Sequence, residues 1–136
     1  MSAVHNEQLV RRFLADWGVD YETARKAIEE YMTDDCLWEN SGLPACHGKS
    51  EALQSLEAYR NVTGFERLKV DLRHVLASGD FVVTERVDHN LNGAGLEISN
   101  VPDPVLGIFE IRGGKVAAWR DYFDPRSFLG LWGPAK

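Results

Sequence analysis

The sequence predicts an α+β fold in which helices from the first half of the chain pack on one face of a curved, mainly antiparallel sheet. Up to about residue 61, apolar residues recur at helical spacing, and from residue 67 onward they alternate as they do in strands. Glycine-containing turns separate the alternating segments, which is typical of antiparallel neighbours. Because helical and strand segments are segregated along the chain, we expect an α+β rather than an alternating α/β architecture.

Three segments of the first half have the apolar spacing of amphipathic helices, at residues 5–17, 21–32 and 49–61. The apolar stripe of the first segment consists of Leu9, Val10, Phe13, Leu14 and Trp17. Gly18 ends the first helix, and the polar residues 33–35 break the pattern after the second.

A short strand is predicted between the second and third helices, at residues 36–40. Alternation along this strand places Trp38 and Asn40 on one face. Residues 41–48 contain glycine, proline and glycine, and are therefore predicted as a loop.

The second half of the chain is predicted as a run of antiparallel strands. Residues 67–76 alternate, and residues 81–91 follow a turn as the partner strand. One face of the first of these strands consists of Leu68, Val70, Leu72, His74 and Leu76. Residues 96–111 give one or two further strands, in which Pro102 and Pro104 mark a bulge or an edge position.

A glycine pair at residues 113–114 is predicted as the hairpin turn into the last strand, residues 115–124. Asp124 and Pro125 then form a helix-start signal, with proline at the first helical position. We expect a short tail helix or turn over one end of the sheet, carrying Phe128, Leu129, Leu131 and Trp132.

Composition and charge exclude several classes of partner. A length of 136 residues suits a single domain spanning residues 1–136. The net charge of −6 and the absence of a basic run argue against nucleic-acid binding. No apolar run approaches the roughly 18 residues of a membrane span, and the N-terminus lacks a signal-peptide pattern, so we expect a cytoplasmic protein without a membrane partner. Cys36 and Cys46 are expected to be buried or half-buried free thiols rather than zinc ligands or a disulfide.

The candidate functional residues are charged side chains on strand faces that also carry aromatic residues. In the last strand, Asp121 shares a face with Ala117, Trp119 and Phe123, so it lies either near a sheet edge in water or at the bottom of an apolar pocket. In residues 81–91, Arg86 and Asp88 project from the same face. Two acids and one arginine in one cavity would neutralise one another. A solvated Arg86–Asp88 pair and a surface Asp121 remain an alternative.

Three motifs together closely resemble the limonene-1,2-epoxide hydrolase family. They are Thr-Glu-Arg-Val-Asp at residues 84–88, Leu-Gly-Ile-Phe-Glu-Ile at 106–111 and Trp-Arg-Asp-Tyr-Phe-Asp at 119–124. The match covers roughly the last 60 residues well and the helical half by pattern only. The resemblance implies the cone-shaped α+β fold shared with ketosteroid isomerase and nuclear transport factor 2, with the three helices on the concave face of the sheet, and it implies a homodimer.

The resemblance also implies a role for each matching residue. Asp121 would be the general base that takes a proton from water, Asp88 the acid that donates to the epoxide oxygen, and Arg86 the group between the two carboxylates. Asn40 would help to position the water. Trp38 stands where the family carries a tyrosine for the same purpose, and its indole N–H donates only. A core aromatic that fills the cone is the alternative for Trp38.

The predicted function is therefore addition of water to a small hydrophobic epoxide to give a vicinal diol, in one step and without a metal or organic cofactor. Trp119 and Phe123 are expected to contact the substrate in an apolar pocket. Two alternatives remain open: an isomerase or polyketide-cyclase-like enzyme on the same fold, and a non-catalytic small-molecule binding module.

Overall fold

The computed structural model describes residues 2–98 and 103–126 of the chain, which form helices packed against one sheet. The helices are α1 (Ala3–Trp17), α2 (Tyr21–Tyr31) and α3 (Lys49–Thr63). The strands are β1 (Met32–Asn40), β2 (Cys46–His47), β3 (Arg67–Ser78), β4 (Phe81–Leu91), β5 (Asp103–Arg112) and β6 (Lys115–Tyr122).

The strands form one open, curved sheet in the order β2-β1-β6-β5-β4-β3. Every neighbouring pair is antiparallel except β1 and β6, which run parallel. The three helices pack on the concave face of the sheet, which confirms the α+β fold class and leaves a cone-like pocket. None of the helices in the described residues is long and apolar enough to cross a membrane.

The helix boundaries follow from local capping chemistry. The side chain of Ser2 accepts a hydrogen bond from the backbone N–H of His5 at the start of α1, and the side chain of Asp20 accepts one from Thr23 at the start of α2. α3 ends at Gly64, whose φ of 76° is the left-handed conformation that glycine adopts without strain. Each of the two side-chain caps satisfies a backbone N–H that has no partner within its helix.

β1 is longer than the sequence pattern predicts, because it begins at Met32 and includes the polar residues 33–35. Met32 pairs with Val116 of β6. Pairing with a neighbouring strand therefore outweighs the weak intrinsic strand propensity of the polar residues. The loop predicted at residues 41–48 contains the two-residue strand β2, which pairs with β1 across that loop.

Two bulges change which side chains face the helices. The register of β3 against β4 shifts between Leu72 and His74, so Leu76 is 71% exposed instead of facing inward with Leu68. The pairing of β5 with β6 shifts as well, since Glu110 pairs with Ala118 while the next residue pairs with Val116. Val116 rather than Ala117 therefore joins the core with Trp119.

The ends of the last two strands agree only in part with the sequence analysis. Pro104 lies in β5 and pairs with Val87 of β4. It precedes Leu106, the first residue of β5 that pairs with β6, where the partner is Tyr122. Pro102 and the expected tail helix lie outside the described residues. The carboxylate of Asp124 accepts a hydrogen bond from the backbone N–H of Arg126 at 3.1 Å, as a helix-start residue would.

The core between the helices and the sheet is rich in aromatic rings. Trp119 is 1% exposed and lies edge-on to Phe13 and Trp17, with ring centroids 5.1 and 4.8 Å apart. It stacks between Trp38 and Phe109, each with its centroid 5.4 Å away. Both cysteine thiols are free and buried, as predicted, and burial raises their pKa.

Candidate active site

The strand register brings Arg86, Asp88 and Asp121 together under the cavity. Arg86 and Asp88 lie on β4 and Asp121 lies on β6, with β5 between them. In the row that crosses the three strands, Thr84 pairs with Gly107, and Gly107 pairs with Asp121. A side chain on β4 must therefore pass over Gly107 to reach Asp121.

The guanidinium group of Arg86 joins the two carboxylates. Arg86 is fully buried, its Nε donates to Asp88 Oδ1 at 2.9 Å, and its Nη2 donates to Asp88 Oδ2 at 3.1 Å and to Asp121 Oδ2. Its Nη1 donates to Thr84 Oγ1 at 3.0 Å. Burial disfavours the cation, but the carboxylates of Asp121 and Asp88 outweigh this effect and raise the pKa of Arg86.

Asp121 lies at the bottom of an apolar pocket rather than at an edge in water. It is 6% exposed, and its Oδ1 accepts a hydrogen bond from Trp119 Nε1 at 2.7 Å. Burial raises the pKa of Asp121 to about 6, while Arg86 lowers it and Asp88 raises it. A buried carboxylate with a pKa near neutrality can act as a general base.

Two residues of this site were missed by the sequence analysis. Gly107 lies directly beneath the guanidinium group, where a Cβ would lie 2.7 Å from Asp121 Oδ1, 2.9 Å from Thr84 Oγ1 and closer still to Arg86 Nη1. Thr84 is fully buried and fixes the third nitrogen of Arg86. A signal for Gly107 was available, because a glycine inside a strand often marks a place where another group approaches the backbone closely. A signal for Thr84 was its position two residues before Arg86, on the same face of the strand.

Asn40 lies beside Asp121, because β1 and β6 are parallel and these two residues pair in the register. Ser41 follows, and its hydroxyl donates to the carbonyl oxygen of Asp121 at 3.3 Å and accepts from the N–H of Phe123 at 3.1 Å. These hydrogen bonds fix the end of β6 against β1, so the side chain of Asn40 lines the cavity next to the buried carboxylate.

The ring of Trp38 lines the cavity, and its polar N–H group is buried. Its ring stacks on Trp119 with an interplanar angle of 17° and lies edge-on to Trp17. Its indole N–H is buried and has no hydrogen-bond partner among the residues that the structure describes. The water-positioning role expected for Trp38 therefore remains a prediction.

The cavity above the three charged residues has a volume of about 380 Å³. Its lining is mainly apolar and includes the aromatic residues Trp38, Trp119 and Phe123. The carboxylates of Asp88 and Asp121 are at its polar end, and the Asp88 side chain is 20% exposed. Within residues 2–98 and 103–126, no group of three or more His, Cys, Asp or Glu side chains is placed to hold a metal ion.

Comparison with known proteins relates this chain to epoxide hydrolases. Residues 4–133 match the model of the limonene-1,2-epoxide hydrolase catalytic domain. Epoxide hydrolase EphG of Mycobacterium tuberculosis is 31% identical over 105 residues, and the alignment covers 77% of this chain. The same alignment covers 63% of EphG, which is less than two thirds of that protein's length.

Solved structures give the same relationship at the level of the fold. An M. tuberculosis LEH-like epoxide hydrolase superposes with a TM-score of 0.72 at 26% identity, over 93% of this chain and 84% of that one. A Catenulispora acidiphila protein with a ketosteroid isomerase-like fold has a TM-score of 0.72 at 18% identity, over 94% of each chain. With the family model matching nearly the whole sequence, this chain belongs to the limonene-1,2-epoxide hydrolase catalytic-domain family.

Proposed function

We propose that this protein is a cofactor-independent epoxide hydrolase that adds water to a small hydrophobic epoxide and releases a vicinal diol. The observation that carries the proposal is the buried arrangement in which Arg86 bonds both Asp88 and Asp121 at the base of an apolar cavity. Family membership supports the same reaction class.

In the proposed step, Asp121 removes a proton from a water molecule held beside Asn40. The water oxygen attacks one oxirane carbon, and the carbon–oxygen bond at that carbon breaks, with its electron pair passing to the epoxide oxygen. Asp88 donates a proton to this oxygen, so that both protons are accounted for and the product is a diol. Asp121 ends the step protonated and Asp88 ionised, and the proton returns to Asp88 before the next turnover.

The electrostatics of the site support a division of labour between the carboxylates. Two nearby carboxylates do not ionise independently, and the permanent charge of Arg86 favours a single shared negative charge on the pair. Burial raises the pKa of Asp121 to about 6, so this carboxylate is ionised in neutral solution and is available as the general base. In the proposed reactive form, Asp88 carries the proton that it donates to the epoxide oxygen.

An isomerase or cyclase would need an unpaired base and a separate oxyanion donor. Here the oxygens of Asp121 accept hydrogen bonds from Arg86 and Trp119, and Arg86 is itself paired with Asp88. This pairing favours the hydrolase over a proton-transfer enzyme on the same fold.

The decisive experiment is hydrolysis of limonene oxide, cyclohexene oxide and styrene oxide by purified protein in oxygen-18 water, with and without a chelator. We expect diol formation that survives the chelator. A single turnover with enzyme in excess should already place the label in the diol, because water attacks directly. A first turnover without label would indicate an enzyme ester, and no diol from any epoxide would refute the proposal.

Replacing Trp38 by tyrosine tests how the water is held. A phenol hydroxyl both donates and accepts, so we expect Trp38→Tyr to raise kcat by about two- to tenfold, the effect of one modest hydrogen bond. Trp38→Phe is the matched control, since it makes a similar reduction in ring size without a hydroxyl. Equal kcat in both variants, or unfolding of Trp38→Tyr, would instead favour a purely structural role for the tryptophan.

The homodimer and the cytoplasmic location expected from the sequence also remain proposals. A second copy of this chain could use the sheet face opposite the helices, where large apolar side chains are exposed on neighbouring strands. These side chains are Leu76, Phe81, Leu106 and Tyr122, which are 71%, 47%, 46% and 51% exposed.

A further inference from the structure

One polar side chain in the cavity has no part in the chemistry described above. Asn90 lies on β4 two residues beyond Asp88, so both side chains project from the same face of the strand. Asn90 is 7% exposed and lines the cavity, opposite Leu68 of β3. In the part of the chain that the structure describes, its backbone carbonyl accepts from Ile98, while its carboxamide makes no hydrogen bond.

Several of the hydroxyl groups around the cavity already have partners. The hydroxyl of Ser41 bonds the backbone of Asp121 and Phe123, and the hydroxyl of Thr63 donates to the carbonyl of Tyr59 at 2.7 Å. The side chain of Ser55 interacts with the thiol of Cys46. Asn90 thus differs from them in offering a donor and an acceptor that the fold itself does not use.

A nearly buried carboxamide influences which molecules bind beside it. In the free protein, water in the cavity can hydrogen-bond to the amide. A wholly apolar substrate would displace that water and leave the amide without a partner, which weakens binding. A substrate with its own hydrogen-bonding group at this position would replace the water without that loss.

We propose that Asn90 is a specificity-determining residue that selects epoxides carrying a second, uncharged hydrogen-bonding group, a hydroxyl or a carbonyl. This inference rests on the proposed hydrolase function, because Asp88 marks the position of the epoxide oxygen. Alternate residues of a strand are about 6–7 Å apart, so the second group lies about that far from the epoxide oxygen. The rest of the substrate is hydrocarbon, which suits the apolar lining.

The test uses two 1-methylcyclohexene oxides that differ only at carbon 4. One carries a tert-butyl group and the other a 2-hydroxypropan-2-yl group, so a hydroxyl replaces a methyl of similar size. We expect the wild type to favour the hydroxylated epoxide by about tenfold or more in kcat/KM. This is the difference expected between a substrate that hydrogen-bonds to the buried amide and one that leaves the amide unpaired. Asn90→Leu should abolish or reverse this preference by improving hydrolysis of the tert-butyl epoxide.

Two further variants separate hydrogen bonding from a change of shape. Asn90→Ser replaces the amide with a hydroxyl, which still donates and accepts but has a shorter reach, and should give an intermediate preference. Leu68→Ile alters the adjacent wall without changing its polarity, and the ratio of kcat/KM values should stay within about twofold of the wild-type ratio. Equal kcat/KM for the two epoxides in wild type and in Asn90→Leu would overturn the inference and leave the hydrolase function standing.

Binding of the two corresponding diols gives a readout that needs no turnover. Quenching of tryptophan fluorescence is a suitable signal, because Trp38 and Trp119 line the cavity. Tighter binding of the hydroxylated diol by wild type, lost in Asn90→Leu, would support the role of Asn90 even if neither epoxide reacted. No preference in binding would overturn it, whereas absence of hydrolysis alone would count against the proposed function.

Discussion

Asp121→Asn is expected to lower kcat for epoxide hydrolysis by about 10²–10⁴-fold, the contribution typical of a general base. A carboxamide has the shape of the carboxylate but cannot accept the proton of the attacking water. Its single oxygen also faces two donors, Trp119 Nε1 and Arg86 Nη2, so we expect a modest loss of stability without unfolding. Steady-state kinetics and a thermal melt of the same preparation measure the two effects separately.

Three companion variants show whether the loss belongs to the site. Asp88→Asn and Arg86→Gln should also remove nearly all turnover, because one lacks the acid and the other lacks the charge between the carboxylates. Glu110→Gln is the matched control, since its carboxylate pairs with Arg120 on the opposite face of the sheet. Wild-type kcat in Glu110→Gln with substantial activity in Asp121→Asn would refute the mechanism.

The pH dependence of catalysis tests the role of Asp121 as the base. Because burial raises the pKa of Asp121 to about 6, this carboxyl group is protonated below that pH and cannot accept the proton of the attacking water. We therefore expect kcat/KM to rise as the pH increases through about 6. In Asp121→Asn the residual kcat/KM should lose this rise, because no carboxyl group ionises at that position.

Gly107→Ala is expected to reduce both activity and stability strongly. The added Cβ would lie within 2.9 Å of Thr84 Oγ1 and 2.7 Å of Asp121 Oδ1, so the guanidinium group of Arg86 must move. Displacement of a catalytic group by about 1 Å can cost on the order of 100-fold in rate. Overpacking of this kind costs about 1–3 kcal/mol of unfolding free energy. Kinetics together with chemical denaturation measure both quantities.

Gly93→Ala is the matched control for this substitution. The nearest atom to a Cβ at Gly93 is Glu66 Cγ at 3.8 Å, an ordinary van der Waals distance. Neither glycine has a positive φ, so the two variants differ in space and not in backbone strain. Near-wild-type activity in Gly107→Ala would show that Arg86 does not need to cross β5 at this point.

The sequence by itself determined the fold class and the strand face that Arg86 and Asp88 share. Helical spacing followed by two-residue alternation predicted the segregated helices and sheet, and the strand at residues 81–91 has the predicted ends. Strand alternation placed Arg86 and Asp88 on one face, and the motifs indicated the family that the comparisons confirm. Periodicity within one strand is local, so a single sequence was enough for these conclusions.

Only the tertiary structure decided how the strands come together around the cavity. The parallel pairing of β1 with β6 sets Asn40 beside Asp121, and the bulges exchange inward and outward side chains in β3 and β6. The space over Gly107 and the unpaired amide of Asn90 likewise depend on neighbouring strands. Each of these features arises from contacts between residues far apart in the chain, which local spacing does not encode.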